Sequence, residues 1–364
     1  MGYIAVKGGQ PAIEASIERL KFERLRSGRS VEVAAIEAGM RSLVEQVMSE
    51  GSLYAESVAA LALKQAEGSP EEAVFILRAF RSTLQRSYYS RTIEPESMRV
   101  ERRISSCFKD IPGGQLLGAS ADYSHRLIDP TLRTEDDASA RAFVDDYLGR
   151  SFEPLRPPVL PKVRDILAAD GLLRGFPPND ATPDDVTKEG LEFPTSRSGR
   201  LQVLTRGQTG AVTALGYAAL RGYGAIHPTV AELRFGHLPV YVAGSQAESG
   251  DPDDDYYVGS IRATDVETAI PVQVPDDRGG NRIEFEIGYG FCFGRNETKA
   301  IAMSLLDFCL ERKDERYPTH DEEFVLMHID SVEATGFISH LKLPHYVTFQ
   351  SNLDSARAAK GARR

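Results

Sequence analysis

Apolar positions in the first third of the chain recur at helical spacing. Ile13, Ile17, Leu20 and Phe22 or Leu25 share a face of a helix that follows the turn Lys7-Gly8-Gly9-Gln10, with Pro11 suited to its first position. Tyr3 to Val6 ahead of it reads as a short strand. Ile36, Met40, Leu43, Val44 and Val47 predict a second helix over Ala35 to Ser49, closed by Gly51. A third runs from Tyr54 to Glu67. The fourth has a full start signal: Ser69 as N-cap, Pro70 next and Glu72 completing a capping box, ahead of Val74, Leu77, Phe80 and Leu84.

The texture then changes. Val100, Arg102, Ile104, Ser106 and Phe108 alternate as in a strand, which the run Asp110-Ile111-Pro112-Gly113-Gly114-Gln115 breaks. Ala138 to Leu148 is helical. Pro154, Pro157, Pro158 and Pro161 make a stiff connector, a short helix spans Val163 to Ala169, and 176–200 is loop-like. Beyond it, Leu201 to Thr205, Val230 to Phe235, Leu238 to Val242, Tyr257 to Ala263, Ile283 to Ile287, Glu323 to Met327 and Val332 to Ile338 are strand candidates. Ala211 to Arg221 and Asn296 to Arg312 are helices. The expected class is α+β: a helical N-terminal region, then a mixed α/β region with a largely antiparallel or mixed sheet. Its divisions are 1–150, a connector and loop at 151–200, an α/β domain at 201–350, and a polar, basic tail at 351–364 that frays.

Composition narrows the classes. The 364 residues, 41% hydrophobic and 26% charged, are ordinary for a globular chain. No apolar run approaches the roughly 18 residues of a membrane span, and no signal peptide is visible at the N-terminus. Cys107, Cys292 and Cys309 form neither a disulfide framework nor a Cys-x-x-Cys pair, so an iron–sulfur cluster is not expected here, and a reducing, cytoplasmic compartment is. A net charge of −10 argues against broad nucleic-acid binding.

Several stretches could carry chemistry. His340 and His345 are five apart with Pro344 between them. That rules out one helix face but allows a bend that converges two imidazoles on zinc; the plain alternative is two surface or core histidines. His320 and His328 show no diagnostic spacing. Arg99, Arg102, Arg103 and Lys109, followed by Gly113, Gly114 and Gln115, combine cations with glycine amides, as an anion site does; a solvated strand face ending in a turn fits equally. Gly207-Gln208-Thr209-Gly210 at a helix start is a candidate phosphate turn, with a simple strand–helix junction the stronger reading. The glycine- and aromatic-rich run Gly288 to Arg295 is a weaker candidate of the same kind.

Taken together, seven strings in order along the chain resemble the I subunit of the bacterial carbon–phosphorus lyase core complex. They are Tyr3-Ile-Ala-Val-Lys-Gly-Gly9, Glu50-Gly-Ser-Leu-Tyr54, Ala60-Leu-Ala-Leu-Lys-Gln65, Arg99-Val-Glu-Arg-Arg-Ile104, Phe108-Lys-Asp-Ile-Pro-Gly-Gly-Gln-Leu-Leu-Gly118, Ala334-Thr-Gly-Phe337 and His340-Leu-Lys-Leu-Pro-His345-Tyr346. The resemblance implies a cytosolic core complex with two copies each of the G, H, I and J subunits, joined by an ABC-type K/L pair. It implies that, with G, H and L, the chain displaces adenine from its substrate ATP by an alkylphosphonate, giving ribose 1-phosphonate 5-triphosphate. In isolation it implies a purine nucleoside triphosphate nucleosidase. It further implies that His340 and His345 bind zinc at the boundary with J.

On that footing Arg102, Arg103, Lys109, Gly113, Gly114 and Gln115 are the expected phosphate-side contacts, and Asp110 is a bare candidate for the acid. The rival expectation is a non-catalytic dimeric scaffold that lends two ligands to an interfacial zinc.

Overall fold

A computed structural model describes residues 8–151, 160–175, 181–224, 226–244, 255–276, 279–343 and 346–361. The expected strand at Tyr3 to Val6 lies outside them. The class is α+β: among the described residues, thirteen helices and one four-stranded antiparallel sheet.

The N-terminal helices are α1 (Gly9–Leu25), α2 (Val33–Gly39), α3 (Arg41–Gly51), α4 (Glu56–Gln65) and α5 (Pro70–Ser82). The helix expected over Ala35 to Ser49 is thus two, because Met40, at φ −111° and ψ 40°, leaves the helical region. Ser69 caps α5 as predicted, its Oγ accepting from the Glu72 N–H at 3.4 Å. Its own N–H donates instead to the Ala66 carbonyl (3.0 Å). Val44, Val47, Met48, Leu63, Val74 and Leu77 form the core of this group. No residue of α1 is buried, so Ile13, Ile17, Leu20 and Phe22 face outward.

The sheet is a meander, β1 (Arg99–Ile104), β2 (Thr229–Val242), β3 (Tyr256–Pro275) and β4 (Asn281–Phe293), each strand pairing with the next. The two short strands expected at 230–235 and 238–242 are one. Between β1 and β2 run α6 (Asp137–Gly149), α7 (Val163–Ala169), α8 (Arg197–Arg206) and α9 (Thr209–Ala218). After β4 come α10 (Glu297–Arg312), α11 (Glu322–His328), α12 (Ser331–Ser339) and α13 (Tyr346–Gly361).

One face of the sheet carries Leu233, Val266 and Cys292 against Met303, Leu306 and Leu310 of α10. Glycine decides how closely that helix lies. A Cβ at Gly288 would stand 1.9 Å from Ser304 O, and one at Gly290 1.9 Å from Ala300 O. The glycines read as a candidate anion loop are therefore a bed for the backbone of α10.

Three expected strands are helices. Leu201 to Thr205 lies in α8, Glu323 to Met327 in α11 and Val332 to Ile338 in α12. A short apolar run cannot by its period be told from a buried helical segment. The caps decide it: Ser196 Oγ accepts from Gly199 N, Asp321 from Phe324 N, and Asp330 from Val332 N and Glu333 N. The polar end, expected to fray, is helical to Gly361 with none of its residues buried. No described helix is long and apolar enough to cross a membrane.

Candidate functional site

The basic segment folds as one unit, and much of it is turned inward. Arg103, on β1, has no exposed surface. Its Nε donates to Glu232 Oε1 (2.6 Å), Nη1 to the carbonyls of Pro112 (2.8 Å) and Gly114 (3.0 Å), and Nη2 to that of Pro161 (2.8 Å). Arg103 therefore grips the glycine turn from inside. Arg102 is also buried; Nη1 donates to Leu117 O (2.6 Å), Nη2 pairs with Asp122, and Nε stands 2.9 Å from Glu297 Oε1. Gln115 is a strut, accepting from Ser105 N (2.9 Å) and donating to Ser105 O (2.8 Å).

Gly113 and Gly114 take φ of 83° and 78°, left-handed backbone that a side chain would strain. The Gly114 N–H already donates to Ile111 O (2.9 Å). Lys109 and Asp110 are exposed. So the structure brings the predicted residues to one junction, but presents outward only Lys109, Asp110 and the turn.

Two other candidate anion sites are filled from within. At the start of α9, Glu50 Oε1 accepts from both Thr209 N and Thr209 Oγ1 at 2.8 Å. A carboxylate thus stands where a phosphate would sit. Glu45 Oε2 likewise accepts from Arg295 N (3.0 Å).

The other face of the sheet holds a band of buried charge. Arg234 and Asp265, opposite each other on β2 and β3, form a two-pronged pair at 3.1 and 2.6 Å. One step along, Glu232, Glu267 and Tyr289 stand in a row across β2, β3 and β4. Burial pushes the Glu232 carboxyl up, against the pull of Arg103. Glu267 Oε1 accepts from Lys162 Nζ (2.8 Å) and Arg164 Nη1 (3.1 Å), while its buried Oε2 has no hydrogen-bond partner among the described residues.

Beside this row opens a cavity of about 520 Å³, with Arg164, Arg174, Arg197, Glu267 and Tyr289 in its wall. Arg197 pairs with Asp307 (2.6 Å) and Arg174 with Glu286 (3.3 Å). Burial, then the charges of Asp265 and Glu267, hold the Tyr289 phenol protonated. Sequence reasoning missed this cluster because its members are spread over more than a hundred positions. The one signal was Glu232, Arg234, Asp265 and Glu267, charged at every second position inside otherwise apolar central strands.

His340 follows the last residue of α12 as its C-cap and is half-buried; its Nδ1 lies against Phe337 O, and its ring meets that of Phe337 edge-on at 5.1 Å. A carbonyl against one ring nitrogen is a contact common to structural and metal-binding histidines alike. His345 lies outside the described residues, among which no group of three His, Cys, Asp or Glu could hold a metal. His320 and His328 are structural: His320 Nδ1 accepts from Asp314 N (3.2 Å) with Nε2 at Gly224 O (3.1 Å), and His328 Nδ1 sits 2.7 Å from Phe324 O.

Residues 2–363 match the family model described as bacterial phosphonate metabolism protein (PhnI), and the chain belongs to that family. It is 42% identical to the putative C-P lyase subunit protein HtxH of Stutzerimonas stutzeri over 99% of this chain and 96% of the relative. It is also 42% identical to the alpha-D-ribose 1-methylphosphonate 5-triphosphate synthase subunits PhnI of Rhizobium meliloti (98% and 94% covered) and Escherichia coli (97% and 96%).

Proposed function

We propose that this chain is a subunit of a cytosolic carbon–phosphorus lyase complex that makes a ribose 1-phosphonate 5-triphosphate from ATP and an alkylphosphonate. The observation that carries the reading is 42% identity, along nearly the whole chain, to relatives named as synthase subunits for that product. In the reaction the C1′–N9 bond breaks and its electron pair leaves with adenine. A phosphonate oxygen bonds to C1′, and the proton that the phosphonate gives up ends on the purine. The triphosphate is untouched. The transition state is oxocarbenium-like, so a carboxylate near the sugar and cations near the phosphates lower the barrier. Asp110, exposed on the turn after β1, stays a bare candidate for the acid. With water in place of the phosphonate, the same bond cleavage makes the isolated chain a purine nucleoside triphosphate nucleosidase.

His340 and His345 would hold zinc at a boundary with the J subunit. The support lies around them: Phe337, Ile338, Leu341, Tyr346, Val347 and Phe349 are all more than 60% exposed. So large an apolar surface beside a two-histidine segment calls for a partner chain to cover it and complete the ligand set. Zinc, when bound there, supplies a Lewis acid. The chain would act as a homodimer with the G, H and J subunits and a K/L pair.

That same exposed surface favours a second reading, a scaffold that lends zinc ligands and catalyses nothing. Purified chain incubated with ATP separates the two. Free adenine, scaling with the chain and absent from a heat-inactivated sample, supports the nucleosidase. None at all favours the scaffold.

A further inference from the structure

The cavity beside β4 gathers three arginines around a buried carboxylate, each arginine also anchored in the fold: Arg164 pairs with Glu96 and Glu267, Arg174 with Glu286 and Arg197 with Asp307. Three guanidiniums, from Arg164, Arg174 and Arg197, reach its wall. The same wall holds Glu267, 3% exposed, with one carboxylate oxygen taken by Lys162 and Arg164 and the other without a hydrogen-bond partner among the described residues. A buried carboxylate oxygen left without a donor is costly, and a ligand hydroxyl is one source of that donor; Glu50 Oε2 and Glu232 Oε2 also have no hydrogen-bond partner among the described residues, but of the three only Glu267 lines this cavity. Tyr289 adds a second polar group to the same wall, its phenol held protonated and so able to donate. Leu173, Leu201 and Ile287 supply an apolar side.

These groups select the ligand's chemistry. A bare inorganic anion would gain from the arginines but be repelled by Glu267, and would leave the apolar side wet. A neutral apolar molecule would waste the arginines. The fitting ligand is anionic at one end, with a hydroxyl donor and a flat or apolar part at the other. A volume of about 520 Å³ suits a molecule of nucleotide size.

We propose that this cavity binds a phosphorylated nucleoside, with its phosphates on the arginine side and a ribose hydroxyl donating to Glu267 Oε2. Taking that ligand to be the nucleoside triphosphate rests on the function proposed above. The alternative position, the turn after β1, offers one exposed lysine and a glycine pair whose second N–H is already used. Against it, the cavity has three guanidiniums and an unsatisfied acceptor.

The test uses the full chain with two probes, ATP and tripolyphosphate, measured by calorimetry. Arg174→Ala and Arg164→Ala are chosen because their side chains are 53% and 39% exposed, so that truncation spares the fold; thermal melting checks it. Each is expected to weaken both probes about tenfold or more, the scale of one hydrogen bond between charged groups. Glu267→Gln keeps an oxygen toward Lys162 but removes the charge. It is expected to weaken ATP while leaving tripolyphosphate as tight or tighter, a split that general loosening of the fold would not produce. Wild-type affinity in both arginine variants overturns the inference. So does loss of binding in Lys109→Ala with Arg174→Ala unaffected, which would move the phosphates to the turn. If wild-type chain binds neither probe, the inference also fails. The functional reading fails separately: ATP binding sensitive to these arginines, with no adenine released alone and no phosphonate product with the partner subunits, leaves the pocket standing and removes the activity.

Discussion

Arg103 and Glu232 form an ion pair in which neither residue has more than 2% of its surface exposed, Nε to Oε1 2.6 Å, joining the edge strand to the middle of the sheet. The other guanidinium nitrogens hold the carbonyls of Pro112, Gly114 and Pro161. One side chain thus fixes the glycine turn, the approach to α7 and the charged face together. Arg103→Ala leaves a buried carboxylate and three carbonyls without their donor. We expect it to cost about 3–5 kcal/mol in denaturant unfolding, with Arg103→Lys recovering little because an ammonium cannot span the same fork. A loss under about 1 kcal/mol would show that the pair is not what ties these segments together.

The bed for α10 makes a second prediction. At Gly288 and Gly290 a Cβ would stand 1.9 Å from a helix carbonyl oxygen in each case, and backbone gives way less readily than a flexible side chain. Gly290→Ala is expected to destabilise the chain by about 1–3 kcal/mol or more, as overpacking does. Gly149→Ala, with nothing within 4 Å, serves as the control and should stay near the wild type in the same melt.

Acid should weaken the fold through His320. Burial holds its imidazole below the ordinary value, against the pull of Gly224 O and Asp314. The unfolded chain's histidine takes up a proton near pH 6.5, about where a free one does, while the folded one stays neutral to lower pH. Unfolded chain therefore binds more protons in that window. The stability is present above about pH 6.5 and is lost as pH falls through the folded value. Melting curves from about pH 7.5 to about pH 5.5 should fall more steeply for wild type than for His320→Gln. Parallel curves would remove His320 from the account.

The histidine segment is tested by elemental analysis. Complex assembled with His340→Ala or His345→Ala chain should purify with its zinc much reduced, and the double variant without it. Zinc content equal to wild type in the double variant would place the metal elsewhere.

The N-terminal helices were readable because period and caps agree there, as Ser69, Pro70 and the face of Val74 and Leu77 show. The strands at 230–242 and 283–287 were readable in kind but not in length. Leu201 to Thr205, Glu323 to Met327 and Val332 to Ile338 were misread because a few apolar residues suit either structure, whereas Ser196, Asp321 and Asp330 upstream already marked helix starts. At the candidate site, charge was legible and direction was not. Arg102 and Arg103 look like anion ligands in a sequence, and only their burial against Glu297 and Glu232 shows them turned inward. The row Glu232, Glu267 and Tyr289 depends on strand register, which no local pattern gives across 57 positions.

The central claim is that this chain takes part in exchanging a nucleotide's base for a phosphonate. The most direct measurement incubates it with the G, H and L subunits, ATP and methylphosphonate, and follows adenine and the phosphorus-containing products by chromatography and phosphorus NMR. The account predicts free adenine together with ribose 1-methylphosphonate 5-triphosphate, both lost when this chain is left out. Full product formation without this chain, or none with every subunit present and folded, would contradict it.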